Sequence, residues 1–398
     1  MSAAEEASAA AADAFPRIVA ALIRVTGDWS LAEDCAQDAL AMALERWPAA
    51  GVPANPGGWL MTVARNRAVD VLRRSSVEQR KLRELARLGQ ADPPAHEIDD
   101  DRLRLVFTCC HPALALESRV ALTLRVVCGV PTGAIAQAFL ASESAMTRRL
   151  TRAKSKIADA RIPYRVPTGP ALAERLPGVL AVLYLLFTQG YNASGEPAFA
   201  DEAIRLARLL RSLMPDQPEV AALLALFLFQ HSRRDARRDA EGNLLTLDRQ
   251  DRTRWDAPMI AEAVALLPTS NGPYALQARI AACHATSPDP ASTDWTTVAS
   301  AYDALIRLQP TPVIALNRAV AHGYAHGPEA GLRLLAEARA GGALDDYPLA
   351  LAAEADLVSR TGNAVRAAEL FRASADRAAS EAERRALLDR ARSISGTP

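Results

Sequence analysis

Glu143, Ser144, Thr147, Arg148, Arg149 and Arg152 crowd into ten residues of the stretch AIAQAFLASESAMTRRLTRAKSKIADARIPYR, which runs from Ala134 to Arg165. Arginine can donate two parallel hydrogen bonds to a guanine edge, and Ser and Thr make smaller base contacts. Between Ala141 and Arg165 there are seven basic residues against two acidic ones, a net charge of +5 in a chain whose formal net charge is zero. That local asymmetry is the electrostatic footprint of a phosphate-binding element. A solvated amphipathic helix has the same composition, because arginine is a good helix former. Composition alone leaves both readings open.

A second basic zone precedes it. From Leu60 to Arg87 eight basic residues stand against three acidic ones, again +5. Arg65, Asn66, Asp70, Arg73 and Arg74 lie in this zone, and Trp59 opens it after the breaker-rich PAAGVPANPGG. An aromatic beside cations and a flexible loop suits single-stranded nucleic acid, whose unstacked bases need platforms and pockets. The alternative is that Trp59 belongs to the core. Other chemistries find little support. Cys109, Cys110 and His111 in TCCH lack the spacing of a structural zinc site and read as a buried cysteine pair. His322 and His326 are one helical turn apart but flank Gly323 and Gly327 at a predicted helix end. No phosphate loop, nucleophile elbow or dinucleotide fingerprint occurs. We therefore expect no catalytic residue, no metal and no cofactor, and a protein that is not an enzyme.

Helices must position these groups. In the opening stretch Ile135, Ala136 and Phe139 share one face. Met146, Leu150, Ala153 and Ile157 follow at spacings of four, three and four, an apolar stripe that predicts a second helix packed on the first. Ser142 is the predicted N-cap of that second helix. The turn of such a motif often holds glycine; here Leu140 stands there, and a bulky residue at positive φ is costly. The whole chain reads as all-α: half its residues are hydrophobic, Ala, Leu and Arg dominate, and aromatics make up only 5%.

The 398 residues divide into a first block over 10–87, a polar, acidic, proline-bearing linker over 88–101, a second block over 102–165, and a train of Ala/Leu helices over 171–395. In that train, GPEAGLRLLAEA from Gly327 resembles NAVRAAELFRAS from Asn363 at an offset of 36, which suggests tetratricopeptide-like helix pairs or an irregular helical bundle. LDRQDRTRWD (247–256), with Gln250, Asp251, Arg252 and Trp255, reads either as a solvated loop or as a polar latch between the extension and the front of the molecule. Five cysteines, two of them adjacent, are no disulfide framework. The N-terminal residues lack the pattern of a signal peptide. The apolar run Leu176 to Phe187 is short for a membrane span and reads as a buried helix. A cytoplasmic protein without membrane association is expected.

Taken in order, these segments resemble bacterial sigma factors of the extracytoplasmic-function type. GDWSLAEDCAQDALAMALERW and GGWLMTVARNRAVDVLRR are similar to region 2 of that family, and AIAQAFLASESAMTRRLTRAKSKI to region 4. DDRLRLVFTCCHPAL, LYLLFTQGYNASGE and LDRQDRTRWD resemble segments of the subgroup with a helical, tetratricopeptide-like C-terminal extension. The resemblance implies roles. Glu33, Asp34, Gln37 and Asp38 would dock on core RNA polymerase. Trp59, Arg65, Asn66, Asp70, Arg73 and Arg74 would read the −10 element, with one base flipped from the duplex. Ser142, Glu143, Ser144, Thr147, Arg148, Arg149 and Arg152 would read the −35 element. The family often has Lys where Thr147 stands and a small residue where Arg148 stands. The acidic linker would thread toward the polymerase channels, and the protein would work at the nucleoid. The extension would regulate through a partner protein or an intramolecular contact. A one-component helix–turn–helix regulator with a helical sensor is the rival expectation, and a tetratricopeptide-like scaffold a third.

Overall fold

A computed structural model describes residues 3–74, 103–139, 141–191, 197–239, 245–342, 344–345, 347–378 and 381–395. Leu140, the turn position singled out above, and the linker over 88–101 lie outside them. The described residues form helices and no strand, so the chain is all-α. Two compact units divide it, residues 1–213 and 214–398.

Three helices open the first unit: α1 (Ala3–Thr26), α2 (Trp29–Ala50) and α3 (Pro56–Arg74), each packed on the other two. Gly27, at φ +69°, and the N-cap Asp28 separate α1 from α2; the Asp28 carboxylate accepts from Leu31 N at 3.0 Å. The faces that meet are apolar and small on α2 and α3: Ala32, Ala36, Ala39 and Ala43 on the one, Leu60, Ala64 and Ala68 on the other, all buried. Alanine at these positions lets the helix backbones approach closely.

A helical stretch over 103–109 leads into α4 (Leu116–Leu122), a single π-helical turn (Thr123–Val127), α5 (Thr132–Ala138) and α6 (Glu143–Asp159). Next come α7 (Pro170–Tyr191) and α8 (Pro197–Leu213). By length and composition α7 could cross a membrane, since the apolar run read from the sequence is only the middle of a 22-residue helix. Its Leu176, Val179, Leu180, Leu183 and Phe187 are buried, and it packs on α4 and α8. Arg175 ties α7 to the preceding segment by donating to the Phe107 carbonyl. Residues 171–213 therefore fall in the first unit, with the boundary between units at Leu213 and Met214.

The second unit strings together α9 (Pro218–His231), α10 (Ala257–Ala265), α11 (Pro273–Ala285), α12 (Trp295–Leu308), α13 (Pro312–His326), α14 (Pro328–Arg339), α15 (Pro348–Arg360), α16 (Ala364–Ala375) and α17 (Glu381–Ser395). From α11 onward each helix packs on the next. Proline at the first turn starts α9, α11, α13, α14 and α15, where its missing N–H costs nothing. The offset of 36 relates α14 to α16, and it places Leu335 and Phe371 at equivalent buried positions. The pair α13–α14 is thus followed by the like pair α15–α16.

His284 on α11 is largely covered. Burial first, and then the charges of Arg233 and Arg252, lower its pKa from 6.5 to about 4. The folded unit therefore holds the ring neutral, while the unfolded chain protonates it below about 6.5. Its contribution is complete above that pH and drains away as pH falls toward about 4, by at most about 3 kcal/mol and less with residual solvent access. His284→Gln should flatten the difference in urea midpoint between pH 7.5 and pH 4.5. An unchanged difference would mean that other groups carry the acid sensitivity.

Candidate nucleic-acid interface

Helix α6 begins as its sequence demands. Ser142 caps it, its hydroxyl accepting from Ala145 N at 3.3 Å. Met146, Leu150, Ala153 and Ile157 are buried against the rest of the domain, and α6 packs on α4 and α5. With that stripe turned inward, Ser142, Glu143, Ser144, Thr147, Arg148, Thr151 and Arg152 are exposed on the outer side. Thr147 and Thr151 donate to the carbonyls of Glu143 and Thr147, at 2.9 and 3.0 Å. Their hydroxyl oxygens keep acceptor capacity toward a base edge. Arg148 and Arg152 carry two cations on this face. Arg149 departs from the expected set: it turns to the side of the helix, pairs with Glu117 of α4 at 3.1 Å, and lies 5.7 Å from the Phe139 ring centre. One step along a helix is about 100°, which separates neighbours on a wheel.

The second basic zone sits on α3. Asn55 caps it, accepting from Gly58 N at 2.8 Å. Trp59 is half-buried and meets Trp47 edge-on, with ring centres 5.5 Å apart. Trp59 thus serves the core through Trp47 while keeping part of its surface open. Asn66, Asp70 and Arg73 are exposed, and Arg65 is half-buried, donating to the Asn66 side-chain oxygen at 3.1 Å. Arg74 ends α3.

The expected polymerase-docking residues do not share one surface. Asp34, Gln37 and Asp38 are exposed on α2, where Asp38 pairs with Arg67 at 2.7 Å. Glu33, one turn before Gln37, is only 4% exposed. Its carboxylate meets Lys154 of α6 at 2.6 Å and Arg125 of the π-helical turn at 3.4 Å. Neither partner was singled out from sequence for this role. The signal available was that Lys154 follows Leu150 by four and precedes Ile157 by three, at the edge of the apolar stripe.

The segment over 247–256 is no free loop. Gln250 and Trp255 are buried. Arg252 donates to the carbonyls of His284 and Ser287 at 2.7 and 2.8 Å, and its guanidinium lies 4.5 Å from the Trp255 ring centre. Asp251 accepts from Thr253, and Asp248 pairs with Arg390 of α17 at 3.3 Å. These contacts fasten the segment within the second unit. Cys109 and Cys110 are buried as well, and burial pushes the Cys110 thiol up to about 11. His322 lies 3.1 Å from Asp303, which also accepts from Arg318.

Two helical bodies, one with a capped Trp-Arg-Asn helix and the other with a capped, arginine-rich helix, coincide with the two segments that match the sigma-70 class. Residues 13–77 match sigma-70 region 2, residues 104–157 match sigma-70 region 4, and residues 175–271 match a family of unknown function, DUF6596. "Uncharacterized protein R00370" of Rhizobium meliloti (strain 1021) is 44% identical over 339 residues, covering 80% of each chain. "Probable ECF RNA polymerase sigma factor SigI" of Mycobacterium tuberculosis is 28% identical over 146 residues, 35% of this chain and 50% of that protein. The chain thus carries sigma-70 regions 2 and 4 ahead of a C-terminal helical extension, and its front part is homologous to an extracytoplasmic-function sigma factor. The crystal structure of yeast Tom70 aligns over 92% of the chain and 80% of Tom70, at 13% identity and a TM-score of 0.35.

Proposed function

We propose that the protein binds core RNA polymerase and directs it to promoters, reading the −35 element with α6 and the −10 element with α3 and the loop over 51–55. Asp34, Gln37 and Asp38 offer the acidic docking face on α2, which a basic partner would be steered toward. Arg148 and Arg152, with Ser144 and Thr147 beside them, enter the major groove. Trp59, Arg65, Asn66, Asp70, Arg73 and Arg74 engage the separated strand. The observation that carries this reading is the outward face of α6, where hydroxyls and cations stand together above a buried apolar stripe. No bond chemistry is required of this chain: it supplies specificity and strand opening, and the polymerase supplies synthesis. The second unit regulates this activity through a partner protein.

Run-off transcription with core polymerase stripped of sigma tests the proposal. Addition of the full chain should yield promoter-specific transcripts, and the chain should co-elute with core. DNA binding without core binding would replace this reading with that of a one-component regulator.

A further inference from the structure

Regions 2 and 4 are not merely tethered in the first unit; they are clasped. Glu33 of α2 reaches Lys154 on the flank of the recognition helix and Arg125 on the π-helical turn. All three side chains are less than a fifth exposed. Around them Tyr164 donates to the Ala20 carbonyl at 3.2 Å and meets the Trp29 ring edge-on at 6.4 Å. The Phe15 ring lies against Gly129, where a Cβ would stand 3.4 Å from it. Gly129 has φ +71°, so both its conformation and its bare surface favour glycine.

This clasp is incompatible with simultaneous reading of two promoter elements. Elements centred 25 base pairs apart lie about 85 Å apart along the duplex, at about 3.4 Å per pair. A compact body of the first unit's length is only about 45 Å across. The 28 residues between Arg74 and Leu103 could span roughly 90 Å when extended, so the covalent chain permits separation.

We propose that the buried Glu33–Lys154–Arg125 cluster is the latch of a closed free form, which must open before regions 2 and 4 engage polymerase and promoter together. The proposal rests on the sigma reading for its purpose, but the latch itself is a property of the free chain. A buried ion pair is a weak source of net stability, because desolvation offsets much of the attraction; removing one partner, however, leaves a buried charge uncompensated. Such a contact favours one arrangement sharply and fails abruptly. The π-helical turn sets the position of Arg125. An α-helical register there would rotate Arg125 away from Glu33, and single π turns often mark functional sites in helices. Glu33 thus serves closure in the free protein, while the exposed Asp34, Gln37 and Asp38 stay available for a first encounter.

The test uses the full chain with spin labels at Glu45→Cys and Ser155→Cys, two exposed positions outside the clasp, in a Cys283→Ser background, and reads the interlabel distance by double electron–electron resonance. Free protein with the native latch should give one short-distance population. Lys154→Met and Glu33→Gln should each move most molecules to long distances, as should added core polymerase acting on the native latch. Lys154→Met leaves the docking face intact and should tighten core binding roughly tenfold by removing the cost of opening. Retained binding of Lys154→Met to a −35 duplex shows that region 4 is still folded. A native latch already at long distances, or short distances unchanged in both variants, overturns the latch and leaves the sigma reading standing. Opening by both variants with no core binding by any form overturns the sigma reading and leaves the latch.

Discussion

Arg148→Ala is expected to weaken binding of the full chain to a −35 duplex by about 1–3 kcal/mol, on the order of tenfold to a hundredfold. Arg148 points outward from α6 beside Thr147 and Arg152, above a stripe whose Met146 and Leu150 are buried. The stripe fixes the helix's rotation, so the arginine has little freedom to leave this face. Arg149→Ala should behave differently. Its guanidinium is engaged by Glu117 and lies against Phe139, so its loss falls on the domain. Glu117 is 70% exposed, and an exposed pair of this kind contributes only about 0–1 kcal/mol. Fluorescence anisotropy across a salt series separates the two. Arg148→Ala should lower both affinity and sequence discrimination, whereas Arg149→Ala should leave discrimination intact. Equal losses in discrimination from both, or none from Arg148→Ala, would show that the assigned reading face is misplaced.

The second large effect is expected in the extension. Helices α13 and α14 cross at Gly323 and Gly331, where a Cβ on Gly331 would sit 2.8 Å from both the Ala319 carbonyl oxygen and the Gly323 Cα. Both obstacles are backbone, so no rotamer change relieves them. Gly331→Ala should force the helices apart and destabilise the second unit by about 1–3 kcal/mol or more, the usual cost of overpacking. A lower midpoint in chemical denaturation, followed by circular dichroism, is the readout. Gly341→Ala is the control, because a Cβ there meets nothing within 4 Å. If Gly331→Ala matched that control, the close approach of the two helices would be disproved.

Some of the candidate site was legible because its determinants are local. Ser142 caps α6 with a hydrogen bond to the third residue along, and the spacing of Met146, Leu150, Ala153 and Ile157 specifies which side turns inward. Prolines 218, 273, 312, 328 and 348 mark helix starts for the same reason: the constraint lies in the residue itself. Arg149 was not legible. A wheel drawn for α6 alone leaves it beside Arg148, and only the neighbouring Glu117 and Phe139 draw it to the side. Gln250 and Trp255 read equally well as a loop or as a latch, because charge density says nothing about which carbonyls an arginine will find. Arg252 finds those of His284 on α11 and Ser287 just past its end, in its own unit.

Glu33 marks the division most sharply. Its neighbours Asp34, Gln37 and Asp38 share its acidic or polar character, and a residue list places all four together. By itself the sequence determined an all-α chain, the helix ends, the inward stripe of α6, the two basic zones and the resemblance to sigma regions 2 and 4, because each depends on residues a few positions apart. Only the tertiary structure decided that Glu33 turns inward to Lys154, 121 positions away, and to Arg125 on a π-helical turn. Partners so distant in the chain meet through the packing of whole domains, and a buried carboxylate takes whichever cations that packing brings within reach.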